Sequence, residues 1–313
     1  MSRKIVALAG GVGGAKLAHG LSALLSPDAL TVIVNTGDDF THWELSISPD
    51  LDTVCYTLAG LANPVTGWGR VDETWQVFES MQALGAPDWF RLGDRDLATH
   101  LARTMRLRQG EPLSRITQDF CQTWGVRHTV LPMSDQPVAT VVDTLEHGEL
   151  GFQEYFVLRR CEPQVSGFRF QGVESARPAP GTLEAIQAAD AVVFCPSNPW
   201  VSIDPILAVS GMRAAIQKKV VVAVSPIIGG QTVKGPAAKM FAELGIAPSA
   251  LAVAQHYQGL LRGFVLDHAD AALAADVEKL GMTAHVTQTL MQNVNDRMTL
   301  AEDVLHFIER LLR

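Results

Sequence analysis

The sequence predicts an α/β protein with a doubly wound, mostly parallel, Rossmann-like sheet, a helical insertion and a small antiparallel hairpin region. Three observations lead to this prediction. Short apolar runs rich in β-branched residues alternate with helical patterns in both halves of the chain. Glycine, proline or acidic residues follow several of these runs, where a strand would end. Between the two halves, the β pattern gives way to consecutive helical patterns.

The chain opens with a predicted strand, a glycine-rich turn and a helix. Ile5–Ala9 is a short apolar run, Gly10–Gly14 has the sequence GGVGG, and helically spaced leucines follow. Glycines allow the backbone to approach a ligand closely, and a helix N-terminus offers free N–H groups to a phosphate. Lys16 replaces the third glycine of GxGxxG, and Leu17 excludes a Walker A sequence. The alternative is a tight turn with a structural role only.

Two aspartates follow the second predicted strand. Thr31–Asn35 has the β-branched pattern of a buried strand, and the turn former Gly37 directly precedes Asp38 and Asp39. Both carboxylates are therefore expected in a loop at the carboxyl end of this strand.

A second acidic pair follows on the next predicted helix. Ser48 and Pro49 are typical of an N-cap and a first helical position, which places Asp50 and Asp52 in the first turn. Solvated acids at a helix N-terminus are the alternative, since the dipole stabilises each by about 0.3–1 kcal/mol. Two acidic pairs near one strand end favour a site for a hard divalent cation such as Mg²⁺, which brings phosphate with it.

The middle of the chain predicts one wall of a cleft. We interpret 1–313 as a single domain in which 67–176 form a helical and hairpin insertion, with Thr140–Thr144 and Phe152–Leu158 as hairpin strands. Between two of its helices lies the sequence RLGDRD, which begins at Arg91. It is either a salt-bridged helix start or a pair of arginines directed at phosphate or another acidic group.

Alternating strands and helices resume after a proline-rich linker at 177–181. Ala191–Cys195 and Lys219–Ser225 are predicted as buried strands, and two shorter strands follow. Ala191–Cys195 is followed by Pro-Ser-Asn-Pro, so Ser197 and Asn198 are expected at the carboxyl end of this parallel strand, where it opens into the cleft. Their side chains suit a base, sugar or phosphate, and a plain turn is an equal alternative.

Composition excludes several classes of protein. The 313 residues are 47% hydrophobic and 19% charged, with a formal net charge of −8, which argues against a general nucleic-acid surface. The apolar runs are too short to span a membrane. Ile5–Ala9 leads into glycines instead of a cleavage site, so we expect no signal peptide. Four scattered cysteines suit a reducing cytoplasm, where we expect the protein to be located.

Six ordered blocks of sequence resemble the 2-phospho-L-lactate transferase family of coenzyme F420 biosynthesis, known as CofD or FbiA. The resemblance runs nearly from end to end, and together the blocks are far more specific than any one of them. The blocks are GGVGGAKL from Gly10, VNTGDD from Val34, SPDLDT from Ser48, LGDRDLATH from Leu92, LPMSD from Leu131 and PSNP from Pro196.

The resemblance implies a Mg²⁺-dependent transferase. Its donor would be a three-carbon acid linked to guanosine diphosphate, and its acceptor the ribityl hydroxyl of a deazaflavin, 7,8-didemethyl-8-hydroxy-5-deazariboflavin, with release of GMP. Asp38 and Asp50 are the candidate catalytic residues and metal ligands, and the resemblance places Asp52 and Arg91 at the deazaflavin. The nucleotide and phosphates would be held by Gly11, Gly13, Gly14, Lys16, Ser197 and Asn198.

Two other classes of protein share part of this pattern. A non-catalytic, nucleotide-sugar-binding regulator of the gluconeogenesis-factor type would share the opening strand, the glycine turn and the first acidic pair. The SPDLDT and LGDRD blocks favour the transferase. A Rossmann dehydrogenase is the least favoured of the three classes, because its GxGxxG glycine spacing differs from that of the GGVGG turn in this chain. The sequence does not decide whether the donor carries phospholactate, phosphoenolpyruvate or phosphoglycerate. It also does not decide whether the protein forms a homodimer.

Overall fold

The computed structural model describes residues 3–313, which form one large sheet, several small ones and the helices around them. In chain order the strands are β1 (Ile5–Ala9), β2 (Leu30–Val34), β3 (Phe40–His42), β4 (Leu45–Ile47), β5 (Thr129–Pro132), β6 (Ala139–Thr144), β7 (Gly148–Gly151), β8 (Val165–Gln171), β9 (Ala191–Phe194), β10 (Val220–Val224), β11 (Ile227–Ile228), β12 (Gln231–Thr232), β13 (Gly263–Asp267) and β14 (Thr283–Thr287).

The α-helices lie between these strands and after the last of them. None of the helices in residues 3–313 has the length and apolarity needed to cross a membrane. In chain order the helices are α1 (Gly11–Leu24), α2 (Pro49–Leu58), α3 (Gln76–Ala83), α4 (Asp94–Arg108), α5 (Leu113–Thr123), α6 (Thr182–Ala188), α7 (Asp204–Ala208), α8 (Met212–Ile216), α9 (Ala237–Glu243), α10 (Ala250–His256), α11 (Ala274–Lys279) and α12 (Val294–Leu311).

The main sheet has seven parallel strands in the order β14-β13-β10-β9-β1-β2-β5. The chain moves outward from β1 through β2 in one direction and from β9 through β10 in the other. The order therefore reverses between β1 and β9, and such a switch point opens a crevice at the carboxyl ends of the strands. This crevice lies between the glycine turn after β1 and the Pro-Ser-Asn-Pro turn after β9.

Helices cover both faces of the sheet, because alternate residues of each strand point to opposite sides. Ile5, Ala7 and Ala9 of β1 are buried in one core with apolar residues of α1, α2 and α12. Val6 and Leu8 are buried in the other core with apolar residues of α6, α7, α9 and α10. The predicted doubly wound α/β fold is confirmed.

The middle of the chain forms α3, α4, α5 and an antiparallel sheet with the order β7-β6-β8, as the helical and hairpin patterns predict. Its division from the rest of the chain stays a prediction. The strand β5, inside the range 67–176, is the edge strand of the main sheet and pairs with β2.

One predicted strand is wrong. Phe152–Leu158 is not extended, and Glu154–Leu158 forms a π-helical turn. The run also places Phe152, Tyr155 and Phe156 at helical steps of three and four, and this period prevails. Tyr155 is fully buried in the core, while the rings of Phe152 and Phe156 stack in parallel, with centroids 5.5 Å apart.

The segment between Asp39 and Ser48 contains a hairpin that the sequence pattern does not predict. Its strands β3 and β4 are joined by Trp43 and Glu44, which have φ values of 49° and 59°. Positive φ at both positions is typical of a two-residue hairpin turn of type I′, and Asn-Gly or Asp-Gly is its usual sequence signal. The hairpin carries the chain out from Asp39 and back to Ser48, so that the two acidic pairs come together.

Candidate active site

A cavity of about 760 Å³ opens at the carboxyl ends of the strands. This volume suits a drug-sized ligand or larger. Its lining includes the glycine turn, the loop after β2, the turn after β9, the segment at 232–237 and residues of the middle segment. Aromatic side chains are prominent in its lining: Tyr56, Trp68, Trp89, Phe90, Phe152 and Phe156.

Asp38 and Asp50 lie together in the lining of this cavity. The side-chain amide nitrogen of Asn35 is 2.9 Å from Asp50 Oδ2 and 3.5 Å from Asp38 Oδ1. Asn35 Oδ1 also accepts a hydrogen bond of 2.8 Å from the backbone N–H of Gly37, which shapes the turn before Asp38. One buried amide therefore brings the two carboxylates to the same place.

The pKa values of both carboxyl groups are raised, so each group ionises less readily than a solvated aspartate. Burial, followed by repulsion from Asp50 and Asp39, raises the pKa of Asp38 well above its usual range. Burial raises the pKa of Asp50 to about 6, although hydrogen bonds from Asn35 and the Gly11 backbone oppose this shift. Neither forms an ion pair with a basic side chain in the described part of the chain.

These properties fit a bound Mg²⁺. The ion prefers oxygen ligands and commonly uses one or two carboxylates together with substrate phosphates. Asp38 and Asp50 supply such oxygens without a cationic side chain to neutralise them. Asp50 also lies against the glycine turn, since a Cβ atom at Gly10 would be 2.7 Å from Asp50 Oδ2. The carboxylates and the backbone that could bind phosphate are therefore neighbours.

The raised pKa of Asp50 predicts how the metal-free protein responds to pH. An acid with a raised folded-state pKa contributes stability that is fully present below the unfolded pKa of about 3.9. This contribution is lost as the pH rises through about 6, the pKa of Asp50 in the folded protein. In a chelator, we expect Asp50→Asn to gain thermal stability relative to wild type between pH 4 and pH 7. Calorimetric melting curves would measure it, and a difference independent of pH would contradict the prediction.

Asp52 has a different environment from Asp50. It lines the cavity, but both of its oxygens accept hydrogen bonds from the buried guanidinium of Arg103, with Nη1 at 3.0 Å from Oδ2. His100 Nδ1 lies 3.7 Å from Asp52 Oδ2, and His100 Nε2 lies 3.4 Å from Asp96 Oδ2. The trio of Asp52, Asp96 and His100 has the spacing of metal ligands, but Arg103 already neutralises Asp52. Asp38 and Asp50 therefore fit a cation better than this trio does.

The glycines of the first turn are required by close packing across the switch point. A Cβ atom at Gly13 would overlap the carbonyl oxygen of Pro196, and one at Gly14 would be 2.8 Å from Ser197 Oγ. Gly11 has a φ of 65°, which disfavours any other residue. Gly11 and Gly13 line the cavity, whereas Gly14 is not among the residues that line it. A side chain at Gly13 would therefore disturb the fold as well as any bound phosphate.

Ser197 and Asn198 line the cavity and also have partners within the protein. Ser197 Oγ donates to the carbonyl of Gly10 at 2.8 Å and accepts from its N–H at 3.2 Å. Asn198 caps the following helical turn, since its Oδ1 accepts from the N–H of Trp200 at 3.1 Å. Ser197 therefore fixes the position of the glycine turn. Lys16 also lines the cavity, and its Nζ donates to the carbonyl of Met291 at 2.6 Å.

Arg91 also lines the cavity. Its guanidinium carbon is 4.3 Å from the ring centroid of Trp75 and 5.5 Å from that of Phe78. Trp89 and Phe90 precede it in the chain and line the cavity too. This part of the lining therefore combines a guanidinium with the aromatic rings of Trp89 and Phe90.

Three residues that shape the site are not singled out by the sequence pattern. The β-branched pattern marks Asn35 only as a strand end. Gln153 lies inside the wrongly predicted strand, and its side-chain amide donates to Asp38 Oδ2 at 3.1 Å. Arg103 lies on α4, and its partner Asp52 is 51 residues away in sequence. A polar residue at a strand end next to two acids is the one local signal that could have revealed Asn35.

The fold and cavity define a class of protein: a doubly wound α/β protein with a carboxylate pair beside a glycine turn at the switch point. The family model described as 2-phospho-L-lactate transferase CofD matches residues 5–308. The chain therefore belongs to the CofD family of transferases.

Relatives with established names are similar over nearly the whole chain. A phosphoenolpyruvate transferase of Streptomyces griseus is 46% identical, with 98% of this chain and 99% of the relative covered. A phosphoenolpyruvate transferase of Thermobifida fusca is 47% identical over 91% of this chain and 92% of the relative. A 2-phospho-L-lactate transferase of Methanosarcina mazei is 40% identical over 96% and 99%.

Solved structures also share this fold. A crystal structure of a UPF0052 family member from Bacillus halodurans has a TM-score of 0.63 and covers 97% of this chain and 99% of its own. The sequence identity is 16%, so the likeness concerns the fold alone.

Proposed function

We propose that this protein transfers a phosphorylated three-carbon acid from a guanosine diphosphate-linked donor to a deazaflavin, 7,8-didemethyl-8-hydroxy-5-deazariboflavin, in coenzyme F420 biosynthesis. The observation that carries the proposal is the uncompensated carboxylate pair of Asp38 and Asp50 beside the glycine turn, within a chain of the CofD family. The reaction would form a phosphodiester, as in enzymes of the EC 2.7.8 type.

The donor's diphosphate would lie across the switch point. The backbone N–H of Gly13 and the N-terminus of α1 are suited to phosphate oxygens, while the N–H of Gly11 already donates a hydrogen bond to Asp50. Lys16 adds a positive charge from the next turn of the helix. Mg²⁺, held by Asp38 and Asp50, would neutralise the charge that develops on the phosphate. Asn198 lines the same cavity and would contact the nucleotide.

The reaction needs positioning more than covalent participation by the protein. The ribityl hydroxyl oxygen of the acceptor would form a bond to the phosphorus that bears the acid. The bond from that phosphorus to the bridging oxygen would break, GMP would leave with the bridging oxygen, and the hydroxyl proton would pass to solvent. Asp52 retains free lone pairs besides those that face Arg103, so it could accept hydrogen bonds from ribityl hydroxyls and orient the attacking oxygen.

Arg91 gives a prediction about the acceptor. Arg91→Ala is expected to raise the apparent KM for the deazaflavin with little change in kcat, because a stacked guanidinium holds the ground and transition states alike. Arg91→Lys should restore little, since an ammonium lacks the planar fork. Steady-state kinetics with the acceptor varied at saturating donor would measure both variants. A normal KM for Arg91→Ala would place the ring elsewhere.

The identity of the acid can be tested by comparing donors. We favour a phosphoenolpyruvate-type donor, because the relatives named phosphoenolpyruvate transferases are 46% and 47% identical and a 2-phospho-L-lactate transferase is 40% identical. Guanosine diphosphate-linked phosphoenolpyruvate, 2-phospholactate and phosphoglycerate would be offered separately with the deazaflavin, and kcat/KM compared. A clear preference for the phospholactate donor would overturn this choice of acid.

The alternative is a non-catalytic regulator that binds nucleotide sugars. The match of residues 5–308 to a transferase family and the names of the relatives favour the enzyme. A regulator would bind nucleotide without releasing GMP when the deazaflavin is added, so quantifying GMP separates the two functions.

A further inference from the structure

Lys234 is a second lysine at the cavity and lies far from Lys16 in sequence. It belongs to the segment Val233–Pro236, which follows β12, lines the cavity and precedes α9. Its Nζ donates a hydrogen bond of 2.6 Å to the backbone carbonyl of Thr66, which also lines the cavity. An ammonium group has three donors, so this contact leaves others free for a ligand.

Positive charge is concentrated around these two lysines. Burial, then the positive charges of Arg297 and Lys234, lower the pKa of Lys16. Asp296 is the acidic group that opposes this shift, and its Oδ2 is already used to cap α12. Lys16, Lys234 and Arg297 form no ion pair among residues 3–313. Repulsion between cations without acidic partners is relieved when an anion binds between them.

The segment that Lys234 contacts reaches back to the glycine turn. A Cβ atom at Gly67 would be 2.8 Å from Val12 Cγ1 and 3.3 Å from Lys234 Nζ, so the three residues are in close contact. Val12 lies between Gly11 and Gly13, and all three residues line the cavity. Lys234 is therefore held beside the glycine turn by its contact with Thr66, close enough to Lys16 for its charge to lower the pKa of Lys16.

We propose that Lys234 is a further donor-binding residue, which acts with Lys16 to hold the diphosphate of the guanosine-linked donor. This inference rests on the proposed function and extends its phosphate site to a residue supplied by the loop after β12. The two lysines bind the phosphate oxygens, while Asp38 and Asp50 serve the metal. The contact with Thr66 keeps the loop closed over the bound diphosphate.

The test uses GDP with Mg²⁺ as the probe and isothermal titration calorimetry as the measurement. Lys234→Gln keeps a donor for the Thr66 carbonyl and removes the charge. We expect it to weaken GDP binding by about tenfold or more, because a charge-assisted hydrogen bond to phosphate is lost. Binding should also depend less on salt than in wild type. Lys218→Gln, an exposed lysine outside the cavity lining, is the control and should bind GDP like wild type.

Guanosine lacks phosphate, so its affinity shows whether Lys234→Gln acts by removing a charge that binds phosphate or by loosening the loop. If Lys234 binds phosphate, Lys234→Gln leaves guanosine affinity unchanged. Equal losses for guanosine and GDP would mean that the residue only holds the loop, and they would overturn the proposal. Wild-type GDP affinity in Lys234→Gln would also overturn it and leave the transferase function intact. A wild-type protein that binds no GDP would instead reject the donor itself, and with it both proposals.

Discussion

Asp38→Asn and Asp50→Asn are each expected to lower turnover by about a hundredfold or more while the fold is kept. Each replacement removes one charged ligand from the site that would neutralise phosphate in the transition state, and such a loss falls on kcat. Within residues 3–313 no cationic side chain forms an ion pair with either carboxylate, so the replacement leaves no buried positive charge among them. Steady-state kinetics at saturating donor and acceptor, with Mg²⁺ varied, would measure the effect.

The control for these variants is Asp276→Asn on α11, which removes one negative charge from a surface pair with Lys279. It should leave turnover and the Mg²⁺ requirement unchanged. Wild-type protein in excess chelator should be inactive, and Mn²⁺ should restore activity. Full activity in chelator, or normal turnover of both acidic-site variants, would contradict the assignment of Asp38 and Asp50 to a metal.

Arg103→Met is expected to lower the free energy of unfolding by about 3–5 kcal/mol, the usual effect of removing one partner of a buried ion pair. The Arg103 side chain is only 2% exposed, and Asp52 is 7% exposed. Burial by itself lowers the pKa of Arg103, but the charge of Asp52 outweighs it and raises the pKa above its ordinary value. Without the guanidinium, Asp52 would be a buried carboxylate that lacks its main partner. Urea denaturation would measure the loss.

A double variant shows whether the pair is the cause. Asp52→Asn with Arg103→Met removes both charges, so it should be more stable than Arg103→Met alone. A double variant as unstable as the sum of the two single variants would show that the residues act independently. Asp52→Ala would likewise leave Arg103 unpaired, so it is also expected to destabilise the protein.

The main sheet could be predicted because its signals are local. Each of its inner strands is a short apolar run, and turn residues follow directly at the carboxyl end. Ser48 and Pro49 likewise begin α2 as predicted, because N-cap and first-turn preferences depend on neighbouring residues only. The position of Asp38 after β2 and that of Asp50 in the first turn of α2 follow from these elements.

The hairpin of β3 and β4 and the turn at 154–158 depend on information that is less local. Trp43 and Glu44 adopt positive φ without the glycine or asparagine that usually indicates it, so the surrounding packing determines this turn. Phe152–Leu158 fits both a strand and a helical period, and burial of Tyr155 decides between them. The partnership of Asp52 with Arg103 joins two elements distant in sequence, which a pattern of spacing does not encode.

The central claim is tested most directly by the mass of the deazaflavin after incubation with enzyme, Mg²⁺ and a guanosine diphosphate-linked phosphoenolpyruvate donor. We expect wild-type protein to increase that mass by one phosphoenolpyruvyl group and to release GMP in equal amount, while Asp50→Asn leaves the deazaflavin unchanged over the same time. An unmodified deazaflavin with the wild-type enzyme and each of the three donors would contradict the account.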